Sequence, residues 1–186
     1  LKKILRCDIA LVAYQRAIRE GHIEDMTDVD GAEGAALTLE CPELRTVAVA
    51  ASLNRAPSAP AGLVKELEKA LEQTPNVSFA WLALAETLAV TTDDIDATSD
   101  RVGSAFRRAL DIDPGHALTW QHYGVWLLRR GAADRRPMAE SALRKATELA
   151  PEDPFSWDLL GEAISGVEGC DAEAERAFRR ATELAP

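Results

Sequence analysis

The sequence predicts an all-α fold, a right-handed α-solenoid of about five stacked antiparallel helix hairpins. Two observations predict it. Pro75, Pro114 and Pro151 are each followed six residues later by a tryptophan, Trp81, Trp120 and Trp157, and Pro186 closes a further unit. The prolines stand 39, 37 and 35 residues apart, and self-similarity at such a period marks stacked supersecondary units. Between the markers, apolar residues recur every three to four positions, the period of an amphipathic helix, and no recognisable strand pattern intervenes.

The first helix of each unit follows its proline. Trp157, Leu160, Gly161 and Ile164 lie at i, i+3, i+4 and i+7 and so share one helical face. Trp120, Tyr123, Gly124 and Leu127 repeat the set one unit earlier, and Trp81, Leu84, Ala85 and Leu88 repeat it again. The third position is always Gly or Ala, which lets a neighbouring helix approach closely.

The second helix precedes the next proline. Leu67 and Ala70, Phe106 and Ala109, Leu143 and Ala146, and Phe178 and Ala181 stand eight and five residues ahead of theirs. Ala139 and Ala174 extend that face by one turn. Proline disfavours helical backbone at the residue before it, which ends each helix and resets the chain. Asn76 and Asp153 are expected to cap the helices that follow, with Pro154 suited to a first helical position. From the tryptophan to the Phe or Leu of the second helix the distance falls from 25 to 23 to 21 residues, while both flanks stay constant. The surplus is therefore assigned to the loops at residues 91–98, 131–137 and 166–171, where insertions are tolerated.

This register resembles the tetratricopeptide repeat (TPR) family, whose units read Trp-x2-Leu-Gly-x2-Tyr, then Ala-x3-Phe, then Pro. Trp157, Leu160, Gly161, Ala174, Phe178 and Pro186 match it, with Ile164 in place of the Tyr. Trp120, Gly124, Ala139 and Pro151 match as well, with Tyr123, Leu127 and Leu143 as substitutes. The unit before keeps Trp81, Leu84, Phe106 and Pro114 but carries Ala85 and Val102 at two small-residue positions. The resemblance thus gives three units, 76–114, 115–151 and 152–186. Residues 41–75 fit as a degenerate hairpin without the tryptophan, through Leu44, Val47, Ala48 and Ala51, then Leu63, Leu67 and Ala70, joined by a Pro-rich stretch at 55–60. Residues 1–40 read as a degenerate N-terminal helical unit. Atypical terminal repeats are expected in such arrays.

Composition narrows the function. Hydrophobic residues make up 47% of the 186, enough for a continuous core. A net charge of −10 argues against a nucleic-acid partner, whose phosphates need Lys and Arg. No apolar run reaches the roughly 18 residues that would insert in a membrane. The basic start at residues 1–6 is interrupted by Asp8 and lacks a small-residue cleavage site, which argues against a signal peptide. Cys7, Cys41 and Cys170, odd in number and far apart, point to reduced thiols in the cytoplasm or another reducing compartment.

No catalytic, metal or cofactor motif is found. Asp28-x-Asp30-Gly31 would need ligands at Met26 and Leu37 to complete a calcium loop. His22, His116 and His122 lack metal-ligand spacing, and neither a phosphate loop nor a nucleophile elbow is present. The expectation is a non-enzyme without a cofactor. The basic pairs Arg107-Arg108, Arg144-Lys145 and Arg179-Arg180 read as a solvated outer face near helix C-termini.

In tetratricopeptide arrays the concave groove is lined by first-helix residues that do not enter the stack. The resemblance assigns this role to Phe79, Leu82 and Glu86, then Leu118, Gln121, His122 and Val125, then Phe155, Asp158, Leu159 and Glu162. Where family members that grip acidic C-terminal tails use Lys, Arg and Asn, the matching places hold Leu82, Gln121, Asp158, Glu86, Val125 and Glu162. An apolar groove with acidic spots suits an amphipathic helix or extended segment carrying basic residues. The expected function is a protein-interaction scaffold, adaptor or structural subunit. The alternative, a regulatory or substrate-recruiting arm of a larger enzyme, follows from the missing initiator Met and the stop at a repeat boundary. Self-association through the C-terminal repeat, where Phe178 would be exposed, is a third option.

Overall fold

A computed structural model describes residues 42–43, 46, 49–50, 61–91, 95–129, 135–165, 167 and 169–185. Its elements are α1 (Ala61–Gln73), α2 (Ser78–Thr91), α3 (Ile95–Ile112), α4 (Ala117–Arg129), α5 (Arg136–Leu149), α6 (Pro154–Ile164) and α7 (Asp171–Leu184). Among the described residues all regular structure is helical, as the sequence predicts. The expectations for residues 1–40, for most of the helix at 44–51 and for the join at 55–60 lie outside the described residues. The chain divides into two compact units, Leu1–Ile112 and Asp113–Pro186.

In the first unit α2 packs most extensively on α3, its hairpin partner, and α1 packs on α2. α2 is apolar almost all round, as a helix enclosed by neighbours should be, and Leu82, Ala83, Leu84, Ala85 and Leu88 are all buried. Leu67 and Leu71 of α1 and Val102, Phe106 and Ala109 of α3 are buried with them. Burying a side chain the size of Phe106 contributes about 1.5–3 kcal/mol. Thr46 and Thr74 share a buried hydroxyl hydrogen bond of 2.6 Å, so neither is left as an unsatisfied polar group.

In the second unit α4 pairs with α5, α6 pairs with α7, and α5 packs on α6. Leu143, Leu160, Ala163, Ile164, Ala174 and Ala177 form one cluster, with Trp157, Leu159 and Cys170 against it. The two helical glycines sit where the hairpin partner comes nearest. A Cβ on Gly124 would lie 2.5 Å from Leu143 Cγ, and one on Gly161 2.6 Å from Phe178 Cε1. The small residue expected at this register position therefore faces a large residue of the following helix. Gly169, at φ 83°, turns the chain just ahead of α7 in a conformation that glycine adopts without strain.

Two local expectations are corrected. In residues 76–114 the surplus length does not stay in the loop: α3 is 18 residues long, against 14 each for α5 and α7. Extending a helix satisfies each added backbone group internally, whereas added loop must find partners elsewhere. Asn76 is not the cap of α2, since Val77 separates it from Ser78. The cap position falls two residues after each proline and is held by Val77, His116 and Asp153. At Asp153 the expectation holds: its carboxylate accepts from the backbone N–H of Phe155 and Ser156, and Pro154 opens the helix.

Candidate partner-binding face

Each first helix is fixed to the proline turn before it by its tryptophan. The indole N–H of Trp81, Trp120 and Trp157 donates to the carbonyl oxygen of Pro75, Pro114 and Pro151, at 2.7, 2.9 and 2.9 Å. The cap residue adds a second tie. Asp153 accepts from the Ser156 hydroxyl at 2.6 Å, and His116 Nδ1 shares a 2.7 Å hydrogen bond with the Thr119 hydroxyl, the same positions one repeat earlier. His116 is thus a structural residue, a role that no metal or catalytic motif would have flagged.

These ties set which side chains face outward. On α6, Phe155 is 71% exposed, Asp158 and Glu162 are exposed, and Leu159 is half-buried. On α4, Leu118 is 46% exposed, and His122 and Val125 are half-buried. Phe155, Asp158, Leu159 and Glu162 lie at i, i+3, i+4 and i+7, a single stripe along α6. Phe155 and Asp158 also border a shallow cleft of about 390 Å³ with Pro154, Ala181, Thr182 and Ala185.

Two of the expected groove residues are otherwise engaged. Gln121 reaches from α4 to α6, donating to the Asp153 carboxylate and, at 2.9 Å, to the Ser156 hydroxyl. It joins two successive first helices rather than standing free. Leu82 is only 3% exposed. Phe79 and Glu86 are half-buried on α2, in the other compact unit.

Several of the basic residues are drawn into ion pairs. Arg144 of α5 pairs with Glu140 of its own helix and with Glu173 of α7, and the guanidinium holds the Glu173 carboxyl below the usual carboxylate range. Arg101 of α3 pairs with Glu68 of α1. Counted from the closing prolines, Glu68 matches Arg144 and Arg101 matches Glu173, so the two bridges join equivalent positions with the charges reversed. Arg136 donates at 2.6 Å to the carbonyl of Ser165, supplying positive charge at the C-terminal end of α6. Among the described residues no cluster of His, Cys, Asp and Glu is placed to hold a metal, and no helix is long and apolar enough to cross a membrane.

Comparison with known structures places this architecture. MamA from Desulfovibrio magneticus RS-1 superposes with a TM-score of 0.63 at 21% identity, over 78% of this chain and 76% of that one. A second MamA structure matches with a TM-score of 0.61 at 15% identity, over 96% and 91%. The likeness is one of fold. It is that of a helical, tetratricopeptide-like protein. No protein-family model matches the sequence, and no curated protein matches it.

That fold accounts for why the outward stripe of α6 lies beside the end of α7, since hairpin packing buries the opposite faces of both helices. That Phe155 stands outside the stack was legible from its register. The bond from Gln121 to Asp153 was not, because it joins positions 32 residues apart.

Proposed function

We propose that the chain is a non-catalytic protein-interaction scaffold or adaptor that binds a partner segment carrying basic residues along its first-helix faces. One observation carries the reading: a large aromatic side chain, Phe155, stands 71% exposed in line with two exposed carboxylates, Asp158 and Glu162, on a helix held rigidly at its start. Exposed apolar surface rimmed by charge is typical of interaction sites, and a rigid support keeps the entropy of binding low. The tetratricopeptide-like fold agrees with such a role. On α4, in the same compact unit, the reading extends to Leu118, His122 and Val125; Phe79 and Glu86 of α2 belong to the other unit and are a separate candidate face.

A crosslinking pull-down tests it, comparing the unaltered chain with Phe155→Ser, Glu162→Lys and, as a control on a second helix, Met138→Ser. Met138 is 49% exposed on α5. A partner recovered with the unaltered chain and with Met138→Ser, and lost from the two face variants, is the expected result. Recovery of the same partner by all four proteins would place binding elsewhere.

A further inference from the structure

Each compact unit has a cleft of the same make, lined by both partners of an ion pair. In the first unit Glu68 of α1 pairs with Arg101 of α3, beside a cleft of about 540 Å³ that Trp81, Leu84 and Ala105 also line. In the second, Arg144 of α5 pairs with Glu173 of α7, beside a cleft of about 460 Å³ that Trp157, Leu160 and Ala177 also line. Counted from the prolines, these apolar residues match one to one, and so do the four charged ones. Between the two bridges the signs are exchanged.

The likeness of the apolar residues carries a hazard. The hairpins α2–α3 and α6–α7 present the same pattern to the helix before them, α1 or α5, and burial of apolar surface has no direction of its own. Repeats with interchangeable interfaces can misassemble while folding, and a hairpin swapped between two chains gives a dimer at little cost. A repulsive element sorts right from wrong where apolar contacts do not. The bridges supply one. Laid on α1, α7 would set Glu173 against Glu68; laid on α5, α3 would set Arg101 against Arg144. Either exchange replaces an attraction by a repulsion. One turn further along nothing is sorted, since Glu72 of α1 and Glu148 of α5 are alike.

We infer that the exchanged signs are a pairing code. They direct each hairpin to the helix that precedes it and suppress swapping of hairpins between copies of this chain during folding. Exposure keeps the stability that each bridge adds small. Sorting needs only the difference between right and wrong pairing, into which the sign enters twice, as lost attraction and as gained repulsion.

Refolding of the full chain tests this. Glu68→Arg with Arg101→Glu keeps an ion pair at the first bridge and gives it the polarity of the second. Each protein is unfolded in urea under reducing conditions, refolded by dilution to about 50 μM, and analysed by size exclusion with light scattering. The double variant is expected to keep the urea midpoint of the unaltered chain and to yield about three times as much dimer or more. The neutral pair, Glu68→Gln with Arg101→Gln, should fall between them. Raising NaCl from about 50 to about 500 mM should bring the unaltered chain towards the double variant, because salt screens exposed charges. A swapped dimer must unfold to separate, so it persists after dilution. Equal dimer yields from the unaltered chain and the double variant overturn the inference. So does a dimer that separates at once on dilution, which is a surface contact. An equal yield from Trp81→Phe, which weakens the same hairpin without touching the charges, would trace the dimer to lost stability and overturn it as well.

Discussion

The indole N–H of Trp157 donates to the carbonyl oxygen of Pro151 at 2.9 Å, closing the proline turn onto the first turn and a half of α6. The same pairing at Trp120–Pro114 and Trp81–Pro75 shows what the six-residue phase is for. Packing alone would accept any large apolar residue at these positions; an indole also supplies a donor from the rim of the core. Trp157→Phe keeps an aromatic ring and removes that donor. Urea denaturation should show a loss of about 0.5–1.5 kcal/mol, the net value of one such bond. An unchanged midpoint with an unchanged m-value would mean that packing alone selects the tryptophan.

Gly124 and Gly161 occupy one register position, yet they differ in what a methyl group would strike. At Gly124 it meets the branch point of Leu143, a side chain with no exposure. At Gly161 it meets the ring edge of Phe178, which is 38% exposed and has room to swing outward. Alanine favours helix over glycine by about 1 kcal/mol, which offsets part of the clash. Overpacking a closed core position costs about 1–3 kcal/mol. Gly124→Ala is therefore expected to lower the thermal midpoint clearly, and Gly161→Ala to lower it less or not at all. The reverse order would show that Phe178 is more firmly held than its exposure implies.

The fold class and the helix faces were legible because burial repeats: a small residue, a large residue and a proline recur at fixed offsets, and each offset carries one steric meaning. The length of α3 was not legible, since a polar insertion reads alike as loop or as an added helical turn. Nor was the cap of α2, because Asn76 has good cap chemistry one residue too early and the true position holds Val77. At the candidate site, exposure of Phe155, Asp158 and Glu162 followed from register. The engagement of Gln121 did not, since it depends on where the following repeat places Asp153.

Arg144 links α5 to α7 through Glu173, and the guanidinium hydrogen bond is the main reason that this carboxyl titrates low. A depressed pKa in the folded state stabilises the fold above the ordinary glutamate value. That contribution is lost as pH falls through the depressed value. Glu173→Gln should thus destabilise the chain at neutral pH and have a vanishing effect in acid. Both side chains are about a third exposed, which holds the difference to about 0.2–1 kcal/mol. Denaturation curves of the two proteins across this range are the measurement. A difference that stays constant with pH would assign the effect to packing rather than charge.

Gln121 offers the sharpest contrast, because exchanging its amide nitrogen for oxygen gives an acid, and its counterpart one repeat later, Asp158, is an acid too. Gln121→Glu replaces the amide that donates to Asp153 with a carboxylate, leaving two negative charges in hydrogen-bond range and the Ser156 hydroxyl oxygen without its donor. The start of α6 then loses its link to α4, and the loss should reach about 1–3 kcal/mol at neutral pH. Protonation restores a donor, so the deficit should shrink as pH falls. The deficit shrinks on acidification, as it does for Glu173→Gln, but from a different cause: one variant loses an attraction that acid would remove anyway, the other gains a repulsion that acid relieves. Gln121→Leu separates the two causes, since it removes the donor without adding charge and should show a deficit that acid does not relieve. If Gln121→Glu and Gln121→Leu followed the same pH profile, like-charge repulsion at this position would be excluded.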